Sequence, residues 1–364
     1  MHEAIKEIIK QSPHLKWLET NVLLMGKAGS HSYGTNISSS DEDYKFVFCE
    51  PAEYTLGILN NCENIILNKP YDCTGFSLKK FLQLAINANP NVLELLFIEP
   101  KDYIYVSPLG QKLIDNRDAF LSKKLKFTLS GYAISQLNRI KLHKSFIDKG
   151  APAKPNRSDY GLPERSVRDK NQVEAVLATI DKEMRSINFD FMDHLEDSVK
   201  IEVKRCMKEM FIKANLSKED QFLGIGRDLG ISDSFMAVLQ KEKEYFSAVK
   251  AYDNYFDWKK NRNPARAELE EKYGMDCKHA SHLIRLISTA KEVLTTGKYL
   301  VRRPDAEFLK SIRQGAWTYE QVIEFAHNSE QELNELYEKC TILPREPDRK
   351  LIDKLCIEIY REFI

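Results

Sequence analysis

A short apolar run, Leu24-Met25-Gly26-Lys27-Ala28, ends in Gly29-Ser30, and ten residues separate Ser30 from the triplet Asp41-Glu42-Asp43. A strand that ends in small residues and a Gly-Ser turn lets backbone N–H groups approach a phosphate closely, and the Ser30 hydroxyl adds a donor. Asp41 and Asp43 stand two apart at the entrance to a strand, so their side chains emerge on one face and can share a hard cation such as Mg²⁺ or Mn²⁺. Asp72, within Tyr71-Asp72-Cys73-Thr74-Gly75-Phe76, is the candidate third carboxylate, because that segment reads as a neighbouring strand. With three carboxylates, two cations about 3.5–4 Å apart can divide the work: one acidifies an attacking hydroxyl, the other neutralises a triphosphate and departing pyrophosphate. Gly-Ser turns and Asp-x-Asp pairs are each common on solvated loops; it is their order, with Ser40 directly before the pair and an apolar strand after it, that points to a phosphate and metal site.

A second group of side chains lies far along the chain. On a helix expected from about Asp276 to Thr295, Ala280, Leu283, Ile284, Ile287, Ala290 and Leu294 follow one face, and Lys278, His282 and Arg285 fall at i, i+4 and i+7 on the opposite one. Such a stripe is ordinarily a solvated face. If it fronts the carboxylates, it can hold a triphosphate or an acceptor phosphate, with His282 as a proton shuttle. Arg302 and Arg303, before a helix start at Pro304-Asp305, would add to that basic surface. Glu94, inside the apolar run Val92 to Ile98, reads as a buried, hydrogen-bonded carboxylate.

These residues are positioned by a chain whose two parts differ in pattern. Helix signals at Glu3 to Ile9 are followed by strand signals at Asn21 to Met25, Tyr44 to Cys49, Asn64 to Leu67 and Asp72 to Phe76. A helix over Leu78 to Ala88 is stopped by Asn89-Pro90, then come the run Val92 to Ile98, a strand at Tyr103 to Val106 and a helix from about Leu109. From Lys124 onward nearly everything reads as helix, broken by the loop Lys149 to Pro155, by Asn263-Pro264 and by Gly297. The expectation is an α+β fold: a catalytic core over residues 1–120 with a small mixed sheet, then a mostly α-helical region over 121–364.

Composition narrows the function classes. The chain has 364 residues and balanced charge, 54 Lys plus Arg against 54 Asp plus Glu, so it is not a polyanion binder held by bulk electrostatics. Any nucleic-acid contact must come from a local basic surface. The seven cysteines are scattered, with no Cys-x-x-Cys pair, and read as reduced packing residues. No apolar run approaches the length of a membrane span and the N-terminus lacks a signal-peptide pattern, so a cytoplasmic location is expected.

On Gly29-Ser30, Asp41-x-Asp43 and the later Asp72, the chain resembles the DNA polymerase β-like nucleotidyltransferase superfamily, and more narrowly its RNA-repair-pathway-associated branch. The resemblance extends over Phe81 and Asn89-Pro90-Asn91-Val92-Leu93-Glu94-Leu95-Leu96-Phe97, Tyr132-Ala133 with Gln136, and Arg262-Asn263-Pro264-Ala265-Arg266. It continues through Tyr273-Gly274-Met275-Asp276-Cys277-Lys278-His279, His282-Leu283-Ile284-Arg285-Leu286 and Val301-Arg302-Arg303-Pro304-Asp305. It implies that fold, an NTP donor, divalent metal, and a carboxylate triad at Asp41, Asp43 and Asp72. The implied reaction moves a nucleotide to a hydroxyl acceptor, an RNA 3′ end by the branch's label. Nucleotidylation of a protein hydroxyl and a non-catalytic nucleotide-binding regulator are the alternatives. The branch commonly carries Arg after Asp-x-Asp-Tyr; here Lys45 follows, which exchanges a bidentate grip on an anion for a point charge.

Overall fold

The computed structural model describes residues 2–38, 40–165, 170–186, 222, 224, 226–227, 229–262 and 264–363. They fall into two compact units, one comprising Met1–Asp148 with Asn263–Ile364 and the other Lys149–Arg262. Cys206 and Asn263, which belong to the cysteine set and to one stretch of the family resemblance, lie outside the described residues.

The first unit is built on a five-stranded mixed sheet in the order β3-β4-β2-β1-β5: β1 (Val22–Ala28), β2 (Asp43–Phe48), β3 (Asn64–Leu67), β4 (Asp72–Ser77) and β5 (Tyr103–Val106). Only the β2–β4 pair is parallel. Each strand coincides with an apolar segment of the sequence, and alternation assigns the faces. Tyr44, Phe46 and Phe48 join Met25, Ile65, Leu67 and Cys73 in a core closed by α1 (Glu3–Gln11) through Ile5 and Ile8. Leu24 and Val47 belong to the larger core on the other face. Gly75 is opposite Phe46, and a Cβ on Gly75 would lie 2.2 Å from the Phe46 ring, so the aromatic ring occupies the space a side chain would need.

The helices of this unit are α2 (Gly29–Tyr33), α3 (Leu78–Ile86), α4 (Pro108–Asp115), α5 (Leu125–Lys149), then α8 (Pro264–Tyr273), α9 (Cys277–Thr296), α10 (Ala306–Arg313), α11 (Tyr319–Lys339) and α12 (Arg349–Phe363). The second unit contributes α6 (Lys170–Ser186) and α7 (Asp233–Asn261), with four-residue and shorter turns left unlabelled throughout. Side chains cap the helix starts: Ser77 accepts from the Lys80 N–H, Asp276 from the His279 N–H, and Thr318 with Gln321 forms a capping box. Gly297, left-handed at φ 71°, closes α9. The segment Val92 to Ile98 is not extended: Asn89 caps a helical turn whose first residue is Pro90, and a 3₁₀ turn over Glu94–Leu96 follows. Asn-Pro thus ends one helix and starts another, since Pro suits the first helical position.

Helix α9 is the central element of the large core. Twelve of its residues are buried, among them Leu283, Ile284, Leu286, Ile287 and Val293, which means that the helix is enclosed on more than one side. In the second unit, Val173, Ile180, Phe222, Met236 and Leu239 form a separate small core, beside which Arg157 grips both carboxylate oxygens of buried Glu242. No helix among the described residues is long and apolar enough to cross a membrane. The described cysteines are all free thiols.

Candidate active site

Strand alternation decides which way the carboxylates point. Tyr44, Phe46 and Phe48 face the α1 side, so Asp43, Lys45 and Val47 face the side of the large core, and in-register pairing places Asp72 beside Asp43, Thr74 beside Lys45 and Phe76 beside Val47. Asp43 is therefore half-buried and Asp72 exposed at the same end of the parallel pair. Asp41 is exposed and precedes β2, which begins at Asp43. Burial, then the charges of Asp72 and Asp41, push the Asp43 carboxyl up, while Lys278 and Lys45 oppose that rise. The structure brings the three aspartates into electrostatic contact, and it brings Lys278 of α9 to them. The three carboxylates do not all come within 4.8 Å of one another.

Gly29 sits directly under Asp43. Its φ is +62°, and a Cβ built on it would lie 2.1 Å from Asp43 Oδ2, so both backbone conformation and space exclude a side chain. No side chain caps the start of α2, where Gly29 and Ser30 stand. Ser40 receives the Ile37 N–H on its hydroxyl at 2.9 Å, which folds the loop before Asp41 back on itself. Lys45 donates to the Asn91 carbonyl, and its ammonium is influenced by burial, Glu94, Arg285, Asp43 and Asp72.

The stripe on α9 divides. Lys278 is exposed, His282 is half-buried and Arg285 is buried at 4 % exposure. Arg285 Nη1 donates to Glu94 Oε1 at 2.9 Å, and its guanidinium lies 3.8 Å from the centre of the Tyr33 ring. The Tyr33 hydroxyl donates to the other Glu94 oxygen at 2.7 Å. Glu94, 4 % exposed, is the buried and hydrogen-bonded carboxylate that its apolar surroundings require. Arg285 does not lie on an exposed face opposite the apolar one; a helix enclosed on several sides has no such face at that position. Burial, followed by the charges of Arg285, His279, Lys278 and Arg139, pulls the His282 imidazole down to about 3, so it is neutral at pH 7.

Other charges expected on a basic surface are committed to carboxylates. Arg302 reaches Asp102 at 2.9 Å and Glu99 at 2.7 Å, and Arg303, buried, reaches Asp305 at 2.9 Å and also Glu292. Arg302 also donates to the His31 carbonyl and Arg303 N–H to the Tyr33 carbonyl, tying the segment before α10 to α2. Tyr33 is covered by Arg285 and Tyr132 points its hydroxyl at Asn89 Oδ1, 3.4 Å away.

One grouping was not drawn from the sequence. His143 of α5 meets Asp276 and His279 at the start of α9, with donor atoms all within 4.8 Å of one another. The Asp-x-x-His spacing at a helix start was visible, but nothing in the sequence ties it to a histidine on a distant helix.

Over 314 residues the chain is 25 % identical to an uncharacterised 38.9 kDa protein of Enterobacteria phage T4 encoded in the nrdC–mobD intergenic region, covering 82 % of this chain and 84 % of that one. No solved structure matches the chain. The mixed sheet with its flanking helices, followed by mostly helical chain, is consistent with a polymerase-β-like fold, and residues 1–149 match RlaP, the RNA repair pathway DNA polymerase beta family, which is the branch that the Gly-Ser and Asp-x-Asp motifs resemble.

Proposed function

We propose that the protein is a metal-dependent nucleotidyltransferase that moves a nucleoside monophosphate from an NTP to a hydroxyl acceptor with release of pyrophosphate. The observation that carries this reading is the in-register pair Asp43 and Asp72 at one end of the parallel pair β2 and β4, coupled to Asp41 and faced by Lys278. Hard oxygen donors whose charges repel one another fit Mg²⁺ or Mn²⁺, and a repelling set is tolerated in a fold when a cation belongs there. When bound, the divalent cation acidifies the acceptor hydroxyl and neutralises charge on the triphosphate.

The chain's own residues supply the remainder. Asp72, exposed beside half-buried Asp43, accepts the proton of the acceptor hydroxyl. Gly29 and Ser30 offer backbone N–H groups, and Ser30 and Ser40 hydroxyls, to the phosphates. Lys278 steadies the triphosphate as a point charge, and neutral His282 donates a hydrogen bond rather than a charge. Arg285 acts from behind, holding Glu94 and Tyr33 in place beneath the site. The acceptor proposed is an RNA 3′ end, supported by the RNA repair family match.

The test is incubation of the full chain with each labelled NTP, Mg²⁺ or Mn²⁺ and a mixed RNA pool. Label made acid-insoluble by the wild type and not by Asp43→Asn is the expected result. Failure of every NTP on RNA, or equal incorporation by the variant, rejects the assignment; label appearing on the protein itself moves the acceptor to a side-chain hydroxyl.

A further inference from the structure

We propose that His143, Asp276 and His279 bind one transition-metal ion of the Zn²⁺ class, at a site separate from the carboxylates of β2 and β4. Asp276 Oδ2 lies 3.7 Å from His143 Nδ1 and 3.4 Å from His279 Nε2. A tetrahedral ion with bonds of about 2.0–2.1 Å sets its ligand atoms about 3.3 Å apart; both Asp276 distances lie within a few tenths of an ångström of that, and all three ligand atoms lie within 4.8 Å of one another.

The hydrogen bonding around the group orients the His279 ring. His279 Nδ1 is 2.7 Å from Gln136 Oε1, and an amide oxygen only accepts, so Nδ1 carries the hydrogen. In the neutral ring Nε2 then has a lone pair, and it faces Asp276 Oδ2. Asp276 Oδ1 accepts the His279 N–H at 3.0 Å, and Oδ2 is the oxygen that faces both imidazoles. A metal-bound imidazole ordinarily donates its remote N–H to an oxygen in this way, and Gln136 is that outer partner. Glu270, 3 % exposed, brings Oε1 to 4.0 Å from His143 Nδ1 and so places a second carboxylate beside the group.

Two imidazoles with one or two carboxylates suit Zn²⁺ and its neighbours and not Mg²⁺, which favours six oxygen ligands. The ion would tie α5, α8 and the first turn of α9 together. Lys278 lies between two of the ligands in sequence and His282 one turn beyond, so the ion positions the end of α9 that faces Asp43. It is a positioning ion, and its binding does not depend on the reaction proposed above.

Full-length protein stripped by chelation is titrated with Co²⁺ in millimolar Mg²⁺ and followed by visible absorption. One saturable equivalent with tetrahedral nitrogen and oxygen bands, displaced by Zn²⁺, is expected; Asp43→Asn should keep it and His143→Ala with His279→Ala should lose it. No saturable Co²⁺, a spectrum unchanged in the double variant, or loss of the band in Asp43→Asn overturns the site. Gln136→Ala covers the case in which the double variant does not fold. That variant should weaken Co²⁺ binding roughly 10–100-fold by releasing the tautomer of His279, and unchanged affinity would reject the assignment.

Discussion

Asp43 and Glu94 lie on the same side of the sheet, both within reach of Lys45 and both fronting α9, yet their surroundings are opposite in kind. Around Glu94 every charge is answered: one oxygen takes the Arg285 guanidinium, the other the Tyr33 hydroxyl, and the Tyr33 ring lies against the guanidinium. Around Asp43 two further carboxylates add to the burden, with Lys278 and Lys45 giving only partial relief. Neutralisation where packing is closed serves the fold, whereas repulsion kept where the surface is open is what the proposed cation would relieve. On the proposed function, the contrast should separate residues whose loss unfolds the protein from residues whose loss silences it.

Asp43→Asn is the sharpest way to break that distinction. Transfer should fall by roughly three orders of magnitude, the scale of several kcal/mol of cation-borne charge stabilisation. Its stability in urea should hold or rise by up to about 1 kcal/mol, because a carboxylate whose ionisation is disfavoured in the fold has been removed. A large loss of stability would place Asp43 with Glu94 instead. Arg285→Ala should do the reverse, costing about 3–5 kcal/mol through the unpaired, buried Glu94. The double change Glu94→Leu with Arg285→Met should recover much of that; recovery of nothing would show that the pair is not the cause.

Gly29→Ala tests the boundary between the two environments. The new methyl would press on Asp43 Oδ2 in a backbone conformation that L residues avoid, so a loss of about 1–3 kcal/mol should accompany loss of transfer. Lys278→Ala is smaller again: NTP affinity should fall roughly tenfold, as expected for one charge-assisted contact, while thermal stability stays put. An unchanged affinity would leave Asp43 without its partner across the cleft.

His282 gives the smallest effect and a definite sign. Its folded value of about 3 lies below the ordinary 6.5, so the unfolded chain takes up the proton first, and the stabilising contribution present above pH 6.5 is lost as pH falls toward 3. His282→Gln should flatten the difference in melting temperature between pH 5 and pH 7 by about 2–4 °C. An unaltered pH profile would mean that His282 is protonated in the fold.

Strands and the Asp-x-Asp approach were legible because each is local: period-two alternation places Phe46 and Phe48 on one face and Asp43 on the other. Helix ends were legible for the same reason, at Leu78, Gly297 and Asp305. Arg285 was misread as an exposed stripe residue because helical spacing reports position around one axis and not how many neighbours surround it. Its partner Glu94 was recognised as buried from the apolar residues beside it, but the pairing spans 191 positions and leaves no local trace. The meeting of His143 with Asp276 was hidden for that reason too. The turn at Pro90 was obscured because an apolar run of seven residues suits a buried strand and a buried helical turn equally well.

The ring of Phe46 filling the space above Gly75 has a consequence for the aspartates three positions away. Sliding β4 by one residue against β2 would drive the ring into Thr74 or Phe76, and it would also turn Asp72 to the opposite face of the sheet. The alignment of the charged end is thus held by an uncharged peg and slot deep in the core. Gauge and cutting edge are separate parts here: substitutions at the acidic end can alter what the site does without altering where its carboxylates stand, because the measure is kept by a phenyl ring and a missing methyl.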